Sequence, residues 1–138
     1  MKKMKTKRFL SLLLALAMSF SMAMPASAAT LYNNPTVYNQ SSSIFKSDRF
    51  TSTPGNGQYI KVWYANRSDH KATVYLYRID QADPVATKEI AANTHKDVAI
   101  WYDFPDTKPV TFYVKIVEQG GNPIKGYLSV AQKPCEGL

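Results

Sequence analysis

The sequence predicts an all-β fold, a two-sheet antiparallel β-sandwich of about seven strands, and three observations indicate it. From residue 44 onward, β-branched and aromatic residues cluster in short runs, which is the composition of strands. Turn-forming residues separate these runs at short intervals. No long window has the periodicity of an amphipathic helix. Short strands with this spacing are typical of immunoglobulin-like and jelly-roll-like sandwiches.

The first part of the chain, residues 1–29, has the features of a secretory signal peptide. Residues 1–8 carry five basic side chains, and residues 9–24 are apolar except for three serines. Ala26-Ser27-Ala28 supplies the small residues that signal peptidase recognises, so we expect cleavage after Ala28 or Ala29. The long basic head and the alanine-rich end are typical of a Gram-positive bacterium. We therefore expect a secreted, extracellular protein, either released or associated with the cell surface without a covalent link.

The remaining chain is predicted to form one domain with a short polar segment at each end. Residues 30–43 are rich in Asn, Ser and Gln and are interpreted as a polar N-terminal arm, with room for one edge strand near residues 36–38. Residues 44–133 form the β-sandwich domain, and residues 134–138 form a C-terminal tail. The tail contains Cys135, which cannot form an internal disulfide because it is the only cysteine. A tail thiol without a role and an intermolecular disulfide both remain open.

The charge of the mature chain argues against nucleic acid as a partner. The full chain carries +7, with 17 basic and 10 acidic residues, but five of the basic residues belong to the signal peptide. The mature chain thus has 12 basic and 10 acidic residues, and no basic stripe of the kind that nucleic-acid readers use. No later apolar run is long enough for a membrane span. No phosphate-binding glycine loop or dinucleotide motif is present, so no cofactor is expected.

The spacing of the runs predicts three hairpins. They join residues 58–65 with 71–80, 85–91 with 96–103, and 110–118 with 124–131, and residues 44–52 supply the remaining strand. Alternation assigns the aliphatic side of each strand to the core. For strand 71–80 two assignments remain open. Either its aliphatic side is buried, which we favour, or its aromatic side is buried; these sides are Ala72, Val74 and Leu76, and Tyr75, Tyr77 and Ile79.

The outward side of the predicted strands is unusually aromatic for a surface that faces only water. This outward set consists of Tyr59, Trp63, Tyr75, Tyr77, Trp101, Tyr113 and Tyr127. We predict a ligand-binding platform on the first hairpin, because flat rings on a rigid sheet suit stacking on sugar rings or on another protein. Its residues are Trp63, Tyr75 and Tyr77, with Tyr59 at the edge. The alternative is that these rings pack against one another across strands.

Catalytic and metal-binding constellations are not expected. His70 and His95 lie in predicted loops without an evident third ligand. No serine sits in a nucleophile elbow, so the sequence predicts a non-enzymatic protein. Two pairs of aspartates could supply oxygen ligands to calcium, but turn formation explains them more simply. These pairs are Asp80 with Asp83 and Asp103 with Asp106.

The region from residue 58 to residue 131 resembles the bacterial prepeptidase C-terminal-type domain and similar secreted jelly-roll-like sandwiches. The resemblance implies a β-sandwich that assists secretion or binds matrix. The aspartate that the family places before its "Leu-Tyr-Leu" strand is absent, since Thr73 and Val74 stand there, and this departure from the family pattern argues further against calcium. The resembling residues are Val74-Tyr75-Leu76-Tyr77, Val98-Ala99-Ile100, Thr111-Phe112-Tyr113-Val114-Lys115-Ile116, Gly120-Gly121-Asn122 and Gly126-Tyr127-Leu128-Ser129-Val130.

Three functions follow as hypotheses. The first is a secreted, non-enzymatic binding module for extracellular carbohydrate or cell-wall material, acting through the aromatic sheet face. The second is a self-associating protein of the extracellular matrix or cell surface, joined through exposed strand edges. The third is a secreted inhibitor of a hydrolase, for which residues 53–57 and 103–109 are the candidate loops.

Overall fold

The structure is a computed structural model, described for residues 29–38, 42–95, 97–105 and 107–134. The expected signal peptide, apart from Ala29, and Cys135 lie outside these residues. The described part contains no helix long and apolar enough to cross a membrane. Its strands are β1 (Ala29–Tyr38), β2 (Ile44–Lys46), β3 (Phe50–Thr51), β4 (Tyr59–Asn66), β5 (Ala72–Arg78), β6 (Ala86–Ile90), β7 (Asp97–Asp103), β8 (Thr111–Glu118) and β9 (Lys125–Lys133).

The strands form two antiparallel sheets, which confirms the predicted all-β sandwich. Sheet one has the order β1-β9-β4-β7, and sheet two has the order β2-β8-β5-β6, with β3 also paired to β8. Because β2 and β3 follow one another along the same side of β8, each sheet has four strand positions. Neighbouring strands come from distant parts of the chain, as in a jelly roll. The immunoglobulin-like alternative would keep more consecutive strands side by side.

The three predicted hairpins are wrong, because each of the three short connections crosses from one sheet to the other. Strands β4, β7 and β9 belong to sheet one, whereas β5, β6 and β8 belong to sheet two. The hairpin found among the described residues joins β5 to β6, with Ala72 opposite Ile90 and Leu76 opposite Ala86. Two strands bury alternate residues whether a hairpin joins them in one sheet or a connection crosses between the two sheets. Alternation alone therefore does not show which type of connection joins them.

The predicted strand over residues 44–52 is divided into β2 and β3, and each of these short strands is followed by a serine whose hydroxyl replaces a ladder bond to β8. Ser47 donates its backbone N–H to the Val114 carbonyl at 2.8 Å, and its hydroxyl accepts the Val114 N–H at 2.9 Å. Ser52 repeats this arrangement with Val110, at 2.9 Å for both bonds. The backbone groups of β8 are thereby satisfied where the short strands β2 and β3 leave it.

The core lies between the sheets and contains the side chains that alternation assigned to it. The aliphatic side of β5 is buried, which confirms the assignment that we favoured. Phe112 is at the centre of an aromatic cluster, with ring centroids 6.1 Å from Phe50 and 5.6 Å from Phe104. The buried strand residues include Ile60, Val62, Tyr64, Ala72, Val74, Leu76, Ile90, Ile100, Phe112, Val114, Ile116, Leu128 and Val130.

The segment interpreted as a polar arm contains a long edge strand. β1 pairs with β9 from Ala29 opposite Gln132 to Tyr38 opposite Lys125, with two register shifts. The Tyr32 ring lies 6.2 Å from the Phe50 ring, between centroids. The segment therefore covers one edge of sheet one and adds to the core.

Candidate functional site

The outer surface of sheet one carries a cluster of aromatic and basic side chains, which we call the indole face: Tyr59, Lys61, Trp63, Trp101 and Lys133. Ile60 and Val62 point into the core, so the alternate residues of β4 point outward. Lys61 is opposite Trp101 on the neighbouring strand β7. A register shift after Val62 displaces Trp63 relative to β7, which is the effect of a β-bulge.

Lys61 lies between the two indole rings. Its Nζ is 4.8 Å from the ring centroid of Trp63 and 4.4 Å from that of Trp101. Lys133 Nζ approaches Trp63 at 5.8 Å, and the Tyr59 ring meets Trp101 edge-on at 6.1 Å. Lys61 is only 9% exposed, whereas both tryptophans are partly exposed. The cation–π contacts hold the indoles apart and in defined orientations.

Sheet two carries a different aromatic group on its outer surface, which we call the tyrosine stack: Lys46, Tyr75, Tyr77 and Tyr113. Tyr77 and Tyr113 are parallel, with ring centroids 4.9 Å apart and an interplanar angle of 4°. Lys46 Nζ lies 4.3 Å from the Tyr113 centroid, and it comes from β2, on the opposite side of β8 from Tyr77. Tyr113 is therefore in contact with side chains from the strands on both sides of β8.

Mutual packing in the tyrosine stack also affects the ionisation of Tyr77. Partial desolvation, and then the neighbouring Tyr113, Tyr75 and Asp83, raise the pKa of Tyr77 above its ordinary value. The rings of this stack thus pack against one another across strands, which is the alternative to a ligand-binding platform that the sequence left open.

The four predicted site residues do not form one platform. Tyr59 and Trp63 lie on the outer surface of sheet one, and Tyr75 and Tyr77 lie on the outer surface of sheet two. The connection from β4 to β5 crosses between the sheets, so it separates the two halves of the expected platform. The structure instead brings Trp101 beside Trp63. Alternation predicts that Trp101 points outward, but the predicted hairpin pairs its strand with residues 85–91, whereas in the structure β7 pairs with β4.

Two of the other candidate residues, Asp80 and His70, lie beside charged side chains. Asp80 makes a two-point ion pair with Arg78, at 3.0 Å from Nε and 2.8 Å from Nη2, and this pairing lowers the pKa of Asp80. His70 Nδ1 lies 3.2 Å from the Glu118 carboxylate, while His95 is exposed. Asp106 lies outside the described residues. Within the described ranges, no group of three or more His, Cys, Asp or Glu side chains could hold a metal ion.

The loop over residues 53–57 is fixed by hydrogen bonds to one buried side chain, that of Gln132. Gln132 accepts the backbone N–H of Thr53 at 2.9 Å and donates to the carbonyls of Thr53 at 2.9 Å and Gly57 at 2.7 Å. Gly57 has a φ of +117°, which an L-residue rarely adopts. The loop is anchored at both ends, as an inhibitor loop requires, but its role stays a prediction.

Comparison with known proteins yields fold likenesses of low similarity. No family model and no curated protein matches this chain, so the prepeptidase C-terminal-type resemblance stays one of pattern. The CBM36-1 domain of a multidomain xylanase from the hindgut metagenome of Trinervitermes trinervoides is 11% identical at a TM-score of 0.42, covering 75% of this chain and 94% of that one. The CBM22-1-GH10 modules of Clostridium thermocellum xylanase 10B are 12% identical at 0.37, covering 80% and 29%.

A viral protein has a similar level of likeness. The VP2 subviral particle of infectious bursal disease virus is 17% identical at a TM-score of 0.35, covering 78% of this chain and 32% of that one. The present chain thus spans less than a third of the VP2 and xylanase 10B chains.

Proposed function

We propose that this chain is an extracellular, non-enzymatic carbohydrate-binding module and that the indole face is its binding site. The observation that carries the proposal is the pair of partly exposed indoles, Trp63 and Trp101, held on either side of the Lys61 ammonium. The C–H groups of a pyranose ring complement the π face of an indole, and the ring edges tolerate water. Two such rings on adjacent strands suit two positions along a sugar polymer.

The rigidity of the indole face favours binding. Trp63 and Trp101 lie on the paired strands β4 and β7 of sheet one. The contacts of Lys61 with both rings, and the edge contact of Tyr59 with Trp101, restrict the ring orientations. A ligand therefore orders few side chains on binding, and this reduces the entropic cost of association. Extracellular polysaccharide or cell-wall material is the ligand class that fits an open, flat surface of this kind.

Trp63→Ala and Trp101→Ala should each weaken binding to the recognised polysaccharide by about 10- to 100-fold, or about 1.4 to 2.8 kcal/mol. The measurement is a sedimentation pull-down of residues 30–138, with Cys135→Ser, against insoluble polysaccharides and purified Gram-positive cell wall. Tyr77→Ala is the matched control, because it removes an aromatic ring from sheet two and should leave binding unchanged. Binding that survives both tryptophan substitutions would refute the site, and no binding to any material would refute the function.

A second candidate function, self-association, is favoured by the edge formed by β7. Proteins protect exposed sheet edges with proline, charge or interruption. The β1 edge contains Pro35, the β2 and β3 edge is interrupted at Ser47, and the β6 edge carries Lys88 and Glu89. β7 pairs only with β4 among the described strands, and between Asp97 and Asp103 at its two ends its residues 98–102 carry no charge.

If β7 joins two copies edge to edge, the sedimentation coefficient of the Cys135→Ser protein should rise with concentration over the micromolar range. Sedimentation velocity measures this directly, and the wild-type chain under oxidising conditions shows any additional disulfide-linked dimer. A single monomeric species at all concentrations in the Cys135→Ser protein would eliminate self-association through this edge.

A further inference from the structure

A polar cavity of about 520 Å³ lies at one end of the sandwich, between the loop from β4 to β5 and the loop from β8 to β9. Its lining includes Arg67, Asp69, His70, Asn122 and Lys125. The volume lies within the range of small-molecule sites, which is about 300–1,000 Å³. The cavity is separate from the indole face, although both are built on β4 and β9.

His70 is held in the cavity wall by a buried carboxylate. The side chain of Glu118 is 0% exposed, and its Oε1 lies 3.2 Å from His70 Nδ1. Glu118 also accepts the backbone N–H groups of Gly120, at 3.0 Å, and of Asn122. These bonds join the β8–β9 turn to the imidazole, and Asn122 Nδ2 lies 3.0 Å from the same Nδ1. Because Nδ1 is engaged from this side, Nε2 is the ring nitrogen left to meet a ligand.

The imidazole also rests directly on the turn. A Cβ atom added at Gly120 would lie 2.5 Å from His70 Cγ, which shows how closely the ring approaches the backbone. The side chain of His70 is nevertheless 51% exposed. The ring is thus fixed on one face and accessible on its remaining surface.

Two basic residues that line this cavity, Arg67 and Lys125, begin from adjacent points of the backbone. The backbone N–H of Arg67 donates to the carbonyl of Lys125 at 2.9 Å, so this bond holds the two backbone segments side by side. Both side chains line the cavity together with His70, and the lining contains one carboxylate, that of Asp69. Arginine binds carboxylate and phosphate groups through two parallel hydrogen bonds, and lysine adds a point charge.

We propose that this end cavity binds a sugar acid or a sugar phosphate, with the anionic group between Arg67 and Lys125. The volume exceeds what a single anion needs and leaves room for a monosaccharide. His70 Nε2 and the Asn122 amide supply hydrogen bonds for hydroxyl groups, while Asp69 accepts from others. Carboxylate and phosphate share the chemistry that the two basic residues recognise, and the site stands whether or not the indole face binds polymer.

The test is isothermal titration calorimetry of the protein with glucuronate, galacturonate and glucose 6-phosphate, with glucose as the neutral control. At least one acid should bind, and Arg67→Gln should weaken it ten-fold or more. Arg49→Gln, which removes an exposed arginine between β2 and β3, should leave the affinity unchanged. Trp101→Ala should also leave it unchanged, and this result separates the end cavity from the indole face. Comparison of the affinities for the two carboxylates and for glucose 6-phosphate shows which anionic group is preferred.

A second measurement locates the ligand. In an NMR titration with the acid that binds, the ring signals of His70 should shift, whereas those of the exposed His95 should stay in place. No binding of any acid at millimolar concentration, equal binding of glucose, full affinity in Arg67→Gln or an unshifted His70 would each overturn the proposal.

Discussion

Asn66→Ala is expected to lower the free energy of unfolding by about 3 to 4 kcal/mol, because several polar groups would lose their partners at once. Asn66 is 0% exposed at the end of β4. Its Nδ2 donates to the carbonyls of His70 at 2.8 Å and Ala91 at 3.0 Å. Its Oδ1 accepts the backbone N–H of Ser68 at 3.1 Å and the Ser68 hydroxyl at 2.6 Å. One amide thus ties together the β4–β5 and β6–β7 connections.

Urea denaturation, followed by the fluorescence of the two tryptophans, measures this loss. Ser68→Ala keeps the Asn66 donors and should cost about 1 kcal/mol. Gln81→Ala, on an exposed turn where the backbone bond to Arg78 remains, should change stability by less than about 0.5 kcal/mol. A stability of Asn66→Ala within about 1 kcal/mol of the wild type would show that water replaces the amide at this site.

Local pattern was sufficient to predict which side chains of β4 and β5 point into the core. In β4 the residues Ile60, Val62 and Tyr64 alternate with polar or aromatic residues, and all three are fully buried. The same holds for Val74 and Leu76 in β5, where the adjacent tyrosines are partly exposed. Side-chain direction in a strand has a period of two residues, so it depends on sequence alone once the strand is recognised.

Strand pairing was not predictable in the same way. The connection from β8 to β9 contains Gly120 and Gly121, and glycines of this kind are typical of a hairpin turn. In the structure β8 pairs with β5 and β9 pairs with β4, so partners are distant in sequence. Those pairings depend on how the two sheets cover each other's apolar sides, which is a property of the whole chain and not of any turn.

The single platform predicted from the sequence depends on strand pairing, and the structure divides its residues between the two sheets. Trp63 and Trp101 are thirty-eight positions apart, and only the pairing of β4 with β7 makes them neighbours. The sequence does not mark Lys61 as a site residue. Its position between the two indoles depends on strand pairing, and alternation shows only that it points outward. Asn66 was likewise unmarked, since its role depends on carbonyls from other connections, such as that of Ala91.

Gly126→Ala is expected to destabilise the fold by about 3 kcal/mol, at the upper end of what overpacking costs, because the added methyl group meets atoms that cannot move away. The Cβ atom would lie 2.3 Å from the Ala65 carbonyl oxygen and 2.6 Å from the Tyr64 hydroxyl. Ala65 belongs to β4, which pairs with β9 at this point, so relief of the clash requires separation of the two central strands of sheet one. Glycine is needed here for space, in contrast to positions where a positive φ requires it.

The Tyr64 hydroxyl, which is the second group that the added methyl would meet, is also held in place by a hydrogen bond. It donates to the Lys125 carbonyl at 3.3 Å, and burial, followed by the nearby Glu118 carboxylate, raises its pKa well above the ordinary value. The hydroxyl therefore stays protonated and in place at any physiological pH. Tyr64→Phe in the Gly126→Ala background removes this oxygen but leaves the Ala65 carbonyl and the Tyr64 ring carbon Cε2, which is 2.7 Å from the added Cβ. It should therefore restore only a small part of the lost stability.

Gly121→Ala provides the matched control, since nothing lies within 4 Å of its added Cβ and its φ is +75°. It should cost only the conformational penalty of about 1 to 2 kcal/mol for an L-residue in that region. Thermal and urea unfolding of the three variants measure the difference, and the clash predicts the order Gly126→Ala, then Gly126→Ala with Tyr64→Phe, then Gly121→Ala, from least to most stable. Equal stability of Gly126→Ala and Gly121→Ala would mean that β4 and β9 separate easily. In that case the rigid support that the indole face draws from these strands would be lost as well.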